Sequence, residues 1–251
     1  MDGKVRFLGT GASLGVPLVG CKCPVCISHD PRNKRLRSSI LVMVRGKNIL
    51  VDVSVDFRAA ALANGISRID GVMITHAHQD HIGGIDDLRA VIKTLVRSIP
   101  MVMSKETAEE LSIRFHYFMH WFEVKVLEEK YGEGEILDVP FRFISYRQQE
   151  VAVTGFCFGN LAYVTDIREY ETSVFEYLQQ IDTLILGAIH EEGTHMHFSL
   201  DEAVAFAKKT SARKVYLTHL SHEINHEKKN SELPPGFELA YDGLEVGFAF
   251  R

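Results

Sequence analysis

The sequence predicts a layered α/β fold, and three observations carry that prediction. Short apolar runs of strand length, such as residues 5–8, 48–53 and 182–186, alternate along the chain with segments of helical period. A dense cluster of histidines and an aspartate directly follows the apolar run Gly71-Val72-Met73-Ile74, so a polar loop leaves a buried strand. With 251 residues, 46% of them hydrophobic, the chain can bury one large core, and residues 1–251 are read as a single domain.

Composition narrows the class of partner. No apolar run approaches the ~20 residues that a membrane helix needs, and Met1-Asp2-Gly3-Lys4 leads straight into a strand without the apolar core of a signal peptide. A net charge of -5 and a pI near 6.2 give no global attraction to nucleic acid or membrane. The expectation is a cytoplasmic enzyme with a small substrate.

Taken in order, residues 5–8 read as a buried strand, followed by the tight, exposed loop Gly9-Thr10-Gly11-Ala12-Ser13-Leu14-Gly15. No second-strand acid and no Gly-Lys-Ser/Thr follow, so turn geometry explains the glycines better than nucleotide binding. Cys21, Cys23 and Cys26 then place three thiols within six residues. In a reducing compartment that spacing fits thiolates around one ion better than disulfides, with a fourth ligand supplied from elsewhere. Buried or redox-active thiols are the alternative, and the isolated Cys157 reads as core. The basic run 32–37 reads as a solvated loop rather than a phosphate grip. Residues 38–44 and 48–53 read as strands around Arg45-Gly46-Lys47. Asp52 lies inside the second, and an unpaired buried carboxylate would be costly, so it is expected to anchor the histidine loop.

That loop is Thr75-His76-Ala77-His78-Gln79-Asp80-His81, with three imidazoles and one carboxylate in six residues. His76 and His78, two apart, can turn toward one ion while Asp80 and His81 face a second. Such ligands suit zinc, manganese or iron, and a chance polar loop is the competing account. Residues 56–64 read as a helix closed by Gly65, and 85–96 as another behind the histidine loop, with Gly83-Gly84 leaving room near the metals. Residues 105–118 have helical periodicity and carry His116 and His120 one turn apart; these could bind a metal or simply line a groove.

Strands follow at 141–147, 151–158 and 160–165, the last ending at Asp166, with a helix at 170–179. After the strand 182–186 come His190, His195 and His197, then Ser199 as cap of a helix at 201–209. Residues 214–217 form the last core strand, followed by His219 and His222, and 237–250 read as two closing strands joined at Tyr241-Asp242-Gly243.

Asp52 together with His76-Ala77-His78-Gln79-Asp80-His81 resembles the metallo-β-lactamase superfamily, whose fold is a four-layer αββα sandwich with metals in a groove at the sheet edges. Within it, the glycine loop, the cysteine cluster and the C-terminal tail resemble the PhnP-type cyclic phosphodiesterases. The resemblance spans nearly the whole chain and thins between about residues 100 and 155. It implies two divalent catalytic ions, with Asp166 bridging them and His219 on the second. His222 would complete a structural zinc site with Cys21, Cys23 and Cys26, and His197 would stand near the leaving group. Six residues before Gly155, where the family pattern has histidine, this sequence has Gln149, whose neutral amide oxygen becomes the expected ligand.

The implied activity is hydrolysis of a small phosphodiester by a metal-activated hydroxide, with Asp80 and His197 as catalytic residues, in a homodimer. Two other readings share the motifs. The PqqB proteins resemble this chain in fold and cysteine cluster, which would mean oxygen chemistry. A non-enzymatic metal-binding protein would have lost its first catalytic ion.

Overall fold

The computed structural model describes residues 2–95 and 98–250. The first half of the chain builds one sheet from β1 (Asp2–Gly9), β2 (Ser39–Val44), β3 (Lys47–Val51), β4 (Gly71–Met73), β5 (Ile99–Ser104) and β6 (Phe122–Leu127). The second half builds another from β7 (Tyr131–Ile136), β8 (Val139–Gln148), β9 (Val151–Phe158), β10 (Leu161–Val164), β11 (Thr183–Gly187), β12 (Lys214–Thr218) and β13 (Phe237–Leu239). The closing strand β14 (Glu245–Ala249) returns to pair antiparallel with β1, so each sheet has seven strands. The two strands expected to close the chain together thus lie in different sheets, parted at Tyr241-Asp242-Gly243.

Strand alternation explains why the sheets stack. In β2 and β3, Ile40, Val42, Ile49 and Val51 point between the sheets, where they meet Phe141, Phe143, Phe156 and Tyr163. Their neighbours Leu41 and Leu50 point the other way, onto Phe57, Ile82, Leu88 and Leu111. The second sheet repeats this: Ala162, Val164, Leu184 and Leu186 face Val174, Ala203 and Phe206. Period-2 strands with both faces apolar need a layer on each side, and three such apolar interfaces make the four layers αββα.

The helices are α1 (Phe57–Ala63), α2 (Gln79–Ile82), α3 (Leu88–Leu95), α4 (Lys105–Arg114), α5 (Val174–Tyr177), α6 (Leu200–Ala207) and α7 (His226–Glu232). Ser199 caps α6 in a capping box with Glu202, as its sequence predicts. The expected helix 85–96 divides into a 3-10 turn at Ile85–Asp87 and α3, and Val96 lies outside the described residues. The helix expected at 170–179 shrinks to α5. Helix α4 ends at Arg114 because Phe118 is drawn fully into the core, edge-on to Phe122, and this burial overrides the local period. His116 and His120 consequently sit apart, each against its own neighbour, Tyr117 and Trp121.

The basic run is not a solvated loop throughout. Arg35 is 2% exposed and donates to Thr10 Oγ1 at 2.8 Å and to the Ala240 carbonyl at 2.6 Å. Arg32 and Arg37 pair with Asp30 and Asp56. The glycine loop is likewise mostly interior, with only Ser13 and Leu14 exposed. Among the described residues no helix is long and apolar enough to cross a membrane.

Candidate metal centre

Strands β3, β4 and β5 run parallel in one sheet, as do β10, β11 and β12 in the other, so each set ends on one side of its sheet. Loops leaving such carboxyl ends are where α/β sheets place ligands. Asp52 follows β3, the histidine motif follows β4, Asp166 follows β10 and His219 follows β12. A hydrogen bond from the Thr154 N–H in β9 to the Thr75 carbonyl (2.9 Å) ties the second sheet to the start of the motif. Gly187 allows the strand ends to close up, since a Cβ there would stand 2.9 Å from the Asp166 nitrogen.

Asp52, Asp166 and His219 all adopt left-handed backbone, with φ of 63°, 53° and 61°. Non-glycine residues rarely do so, and here each of the three side chains stands against the histidine motif, Asp52 and Asp166 at His81 and His219 at Asp80.

Asp52 is fully buried and works as an anchor. It accepts from the Thr75 N–H (2.8 Å) and hydroxyl, and from His81 Nδ1–H at 2.7 Å. The Thr75 hydroxyl in turn accepts from His76 Nδ1–H at 2.9 Å. One carboxylate therefore fixes the tautomers of His76 and His81, leaving both Nε2 lone pairs aimed into the groove.

There the inward atoms converge. His81 Nε2 lies 3.4 Å from Asp80 Oδ2 and 3.3 Å from Asp166 Oδ2, and His219 Nε2 lies 3.4 Å from both Asp80 Oδ2 and Asp166 Oδ1. These separations are long for charge-assisted hydrogen bonds, which run about 2.7–2.9 Å. They match the edge of a tetrahedron of nitrogen and oxygen ligands around zinc, about 3.4 Å from standard bond lengths. His81 Nε2 is buried without a hydrogen-bond partner, as a ligand atom would be. His76 Nε2 and His78 Nδ1 face each other at 3.0 Å, and His197 Nδ1 stands 3.3 Å from Asp166 Oδ1. The residues present fit divalent cations.

Electrostatics agree. Burial opposes charge on His81, yet Asp80, Asp52 and Asp166 outweigh it and hold its pKa well above the ordinary value, so the carboxylates draw a positive charge to this imidazole that a cation at Nε2 would supply in the proton's place. Burial alone would raise the Asp80 and Asp166 carboxyls, but His81 and His219 keep both well below the usual range. Burial pushes His76 and His78 down, so both are neutral imidazoles with free lone pairs. His197 falls to about 4 for the same reason.

Gln149 is not in this cluster. It is exposed in the two-residue turn between β8 and β9, with φ of 53°. Gln148 takes the inward place at 2% exposure, its Nε2 lying 3.3 Å from Asp166 Oδ1 and 2.9 Å from His197 Nε2. Strand alternation decides this: Tyr146 and Gln148 point in, while Arg147 points out. Besides Gln148, the sequence left Thr75 and Tyr146 without a role; the Tyr146 hydroxyl donates to the Thr165 carbonyl at 2.8 Å and steadies the approach to Asp166. His116 and His120 join no ligand cluster among the described residues. His195 is exposed, and His190 is engaged by Ser221 and Glu223.

A second cluster gathers Cys21, Cys23, Cys26 and His222. The three sulfurs lie 3.5, 3.4 and 3.7 Å from His222 Nδ1. A tetrahedral zinc with sulfur and nitrogen ligands requires about 3.5–3.6 Å, so the four residues fit that ion. The Cys26 backbone N–H leads the effects that lower the Cys23 thiol to about 6, and burial pushes Cys26 up to about 11. Cys157 is buried in the core, as expected.

A family model described as "Beta-lactamase superfamily domain" matches residues 47–220. The crystal structure of a diphosphatase from the PhnP family is similar to this chain at 36% identity with a TM-score of 0.95, covering 100% of this chain and 98% of that one. Zinc-bound PqqB from Methylobacterium extorquens is 19% identical with a TM-score of 0.77, over 97% and 99% of the two chains, a likeness of fold. An octanoyltransferase of Porphyromonas gingivalis is 32% identical over 253 residues, 96% of this chain and 50% of the relative. The chain thus spans about half the length of that curated relative.

Proposed function

This chain belongs to the metallo-β-lactamase superfamily of metal-dependent hydrolases, and on that premise we propose that its groove opens small phosphodiesters, cyclic or linear. The observation that carries the proposal is the placement of Asp166, whose ligand atoms gather with His76 and His81 in one cluster and with His219 and His197 in another, Oδ2 standing by His81 and Oδ1 by His219 and His197. A carboxylate so shared spans two ion positions, one formed with His76 and His78, the other with Asp80, His81 and His219. Ions held there would lower the pKa of a water between them and neutralise charge on the phosphoryl oxygens. The similarity to a PhnP-family diphosphatase supports a phosphoryl group as the target.

The chain's own residues supply the rest. Asp52, through His81 and Thr75, keeps an imidazole of each position aimed. Asp80 holds charge and geometry beside His219. His197 stacks on His219 with ring centroids 5.2 Å apart and is 13% exposed on its side chain, where the negative charge of a bound phosphodiester would raise its pKa from about 4 and let it hand a proton to the departing alkoxide. Cys21, Cys23, Cys26 and His222 hold a structural zinc, a closed shell without room for substrate. A homodimer in the cytoplasm belongs to the same reading; sedimentation tests the first. The acyl transfer named for the Porphyromonas relative belongs to a protein of which this chain matches half, and is not carried over.

The test pairs elemental analysis with hydrolysis of bis(p-nitrophenyl) phosphate and of an organic diphosphate, before and after manganese is supplied. About three ions per chain with diester cleavage is the expected result. A chain with its full metal complement and no cleavage of either substrate would sink the proposal.

A further inference from the structure

Gln148 is a buried amide that does not behave as core. It ends β8 at 2% exposure, on the inward face with Tyr146, and its Oε1 is buried with no hydrogen-bond partner among the described residues. A buried carbonyl oxygen left unpaired costs stability, and an apolar side chain at the same strand position would avoid that cost. What the amide gains stands at its other end. Gln148 Nε2 lies 3.3 Å from Asp166 Oδ1, and 3.2 and 2.9 Å from Nδ1 and Nε2 of His197.

Two nearly equal distances to nitrogens on either side of Cε1 place the amide over the face of the imidazole, where an N–H is weakly attracted, and not in the plane of either lone pair. The ring has two further holds: Asp166 Oδ1, 3.3 Å from Nδ1, and His219, stacked with centroids 5.2 Å apart. With its face under Gln148 and Nδ1 turned to Asp166, the edge of His197 left for substrate is Nε2. One amide nitrogen therefore touches both the carboxylate shared between the ion positions and the imidazole beside the leaving group.

We infer that Gln148 is a positioning residue, whose amide fixes the His197 ring relative to Asp166 so that Nε2 meets the departing oxygen. The inference rests on the phosphodiester reading of the groove. As hydroxide adds to phosphorus, the P–O bond to the leaving group breaks, its electron pair stays on that oxygen, and the proton of His197 Nε2 joins it. A positioned proton donor contributes typically about 10²–10⁴-fold in rate, and a misplacement of about 1 Å costs on the order of 10²-fold. An ester whose leaving group departs as a stable anion does not need that proton.

The experiment compares bis(p-nitrophenyl) phosphate, which releases p-nitrophenolate, with ethylene phosphate, a cyclic diester that must release an alkoxide, on protein carrying its full metal complement. Gln148→Leu should lower kcat on the cyclic ester on the order of 10²-fold and on the aryl ester by less than about tenfold, with the metal content of wild type. Gln148→Asn, whose amide is one methylene too short to reach, should do the same and carries the comparison where Gln148→Leu fails to fold. In a His197→Ala background, Gln148→Leu should lower neither rate further, because the two residues act as one unit. Equal losses on both esters, an ion lost from a folded variant, or additive losses in the double variant would overturn the inference and leave the hydrolytic reading in place. A wild type with all its metal that cleaves neither ester would remove that reading and the inference together.

Discussion

Asp52 Oδ2 lies 2.7 Å from His81 Nδ1, and neither side chain is exposed to water. Replacing Asp52 by Asn keeps an acceptor for the Thr75 N–H but removes the charge that orients His81. The expected result is a folded protein whose groove metal affinity falls on the order of 10–100-fold, with hydrolysis falling alongside. Titration calorimetry of Asp52→Asn beside wild type checks it, and unchanged affinity would refute the anchoring role.

Asp80 contributes an oxygen 3.4 Å from both His81 and His219, while Asp166, the other acid beside them, is shared with the His76 side of the groove. Asp80→Ala should therefore bring diester hydrolysis to background and remove one groove ion. Full activity in this variant, under conditions where wild type depends on metal, would end the two-ion account.

The cysteine site binds the N-terminal loop to the segment after β12 through His222. Cys23→Ser should lose one zinc per chain by elemental analysis and melt at lower temperature, because binding energy at a structural zinc is folding energy. Retention of the same zinc count would show that the three thiols serve something else.

Asp242 gives a pH prediction away from the metals. It is buried, accepts from the Leu36 N–H and the Thr10 hydroxyl at 2.7 Å each, and burial raises its pKa from 3.8 to about 6. A raised acid binds its proton more tightly when folded, so its contribution to stability is full below pH 3.8 and is lost as pH climbs through about 6. The loss amounts to about 3 kcal/mol. Denaturant unfolding of wild type and Asp242→Asn should show the difference between them moving in the variant's favour from pH 4 to pH 6.5, and a parallel pair of curves would contradict the shift.

Much of this site was legible because its ligands are neighbours in sequence. His76 through His81 lie on one turn, and Cys21 to Cys26 on another, so spacing alone exposes them. Asp166, His219 and His222 come from distant strand ends, and no local pattern links them to the motif; family resemblance supplied them. Gln149 shows where counting fails. Residues before Gly155 cross a hairpin turn, and a position counted across a turn does not keep its face of the sheet. Following alternation from Tyr146 would have reached Gln148. The helix at 105–118 and the solvated basic run failed for another reason: Phe118 joined a core that distant strands build and Arg35 found buried partners far along the chain, and local propensity has no access to these.

The left-handed strand ends at Asp52, Asp166 and His219 give the groove an evolutionary signature. Only glycine takes that backbone freely, and other residues give up about 1–2 kcal/mol apiece to hold it. A lineage released from its chemistry would gain stability by drifting to glycine at these positions, and an engineer seeking a hardier shell would choose the same exchanges. Each gain would erase a ligand or the anchor behind two of them. Durability and activity therefore pull in opposite directions at these three residues, and whichever prevails will be written in whether a carboxylate and an imidazole persist there.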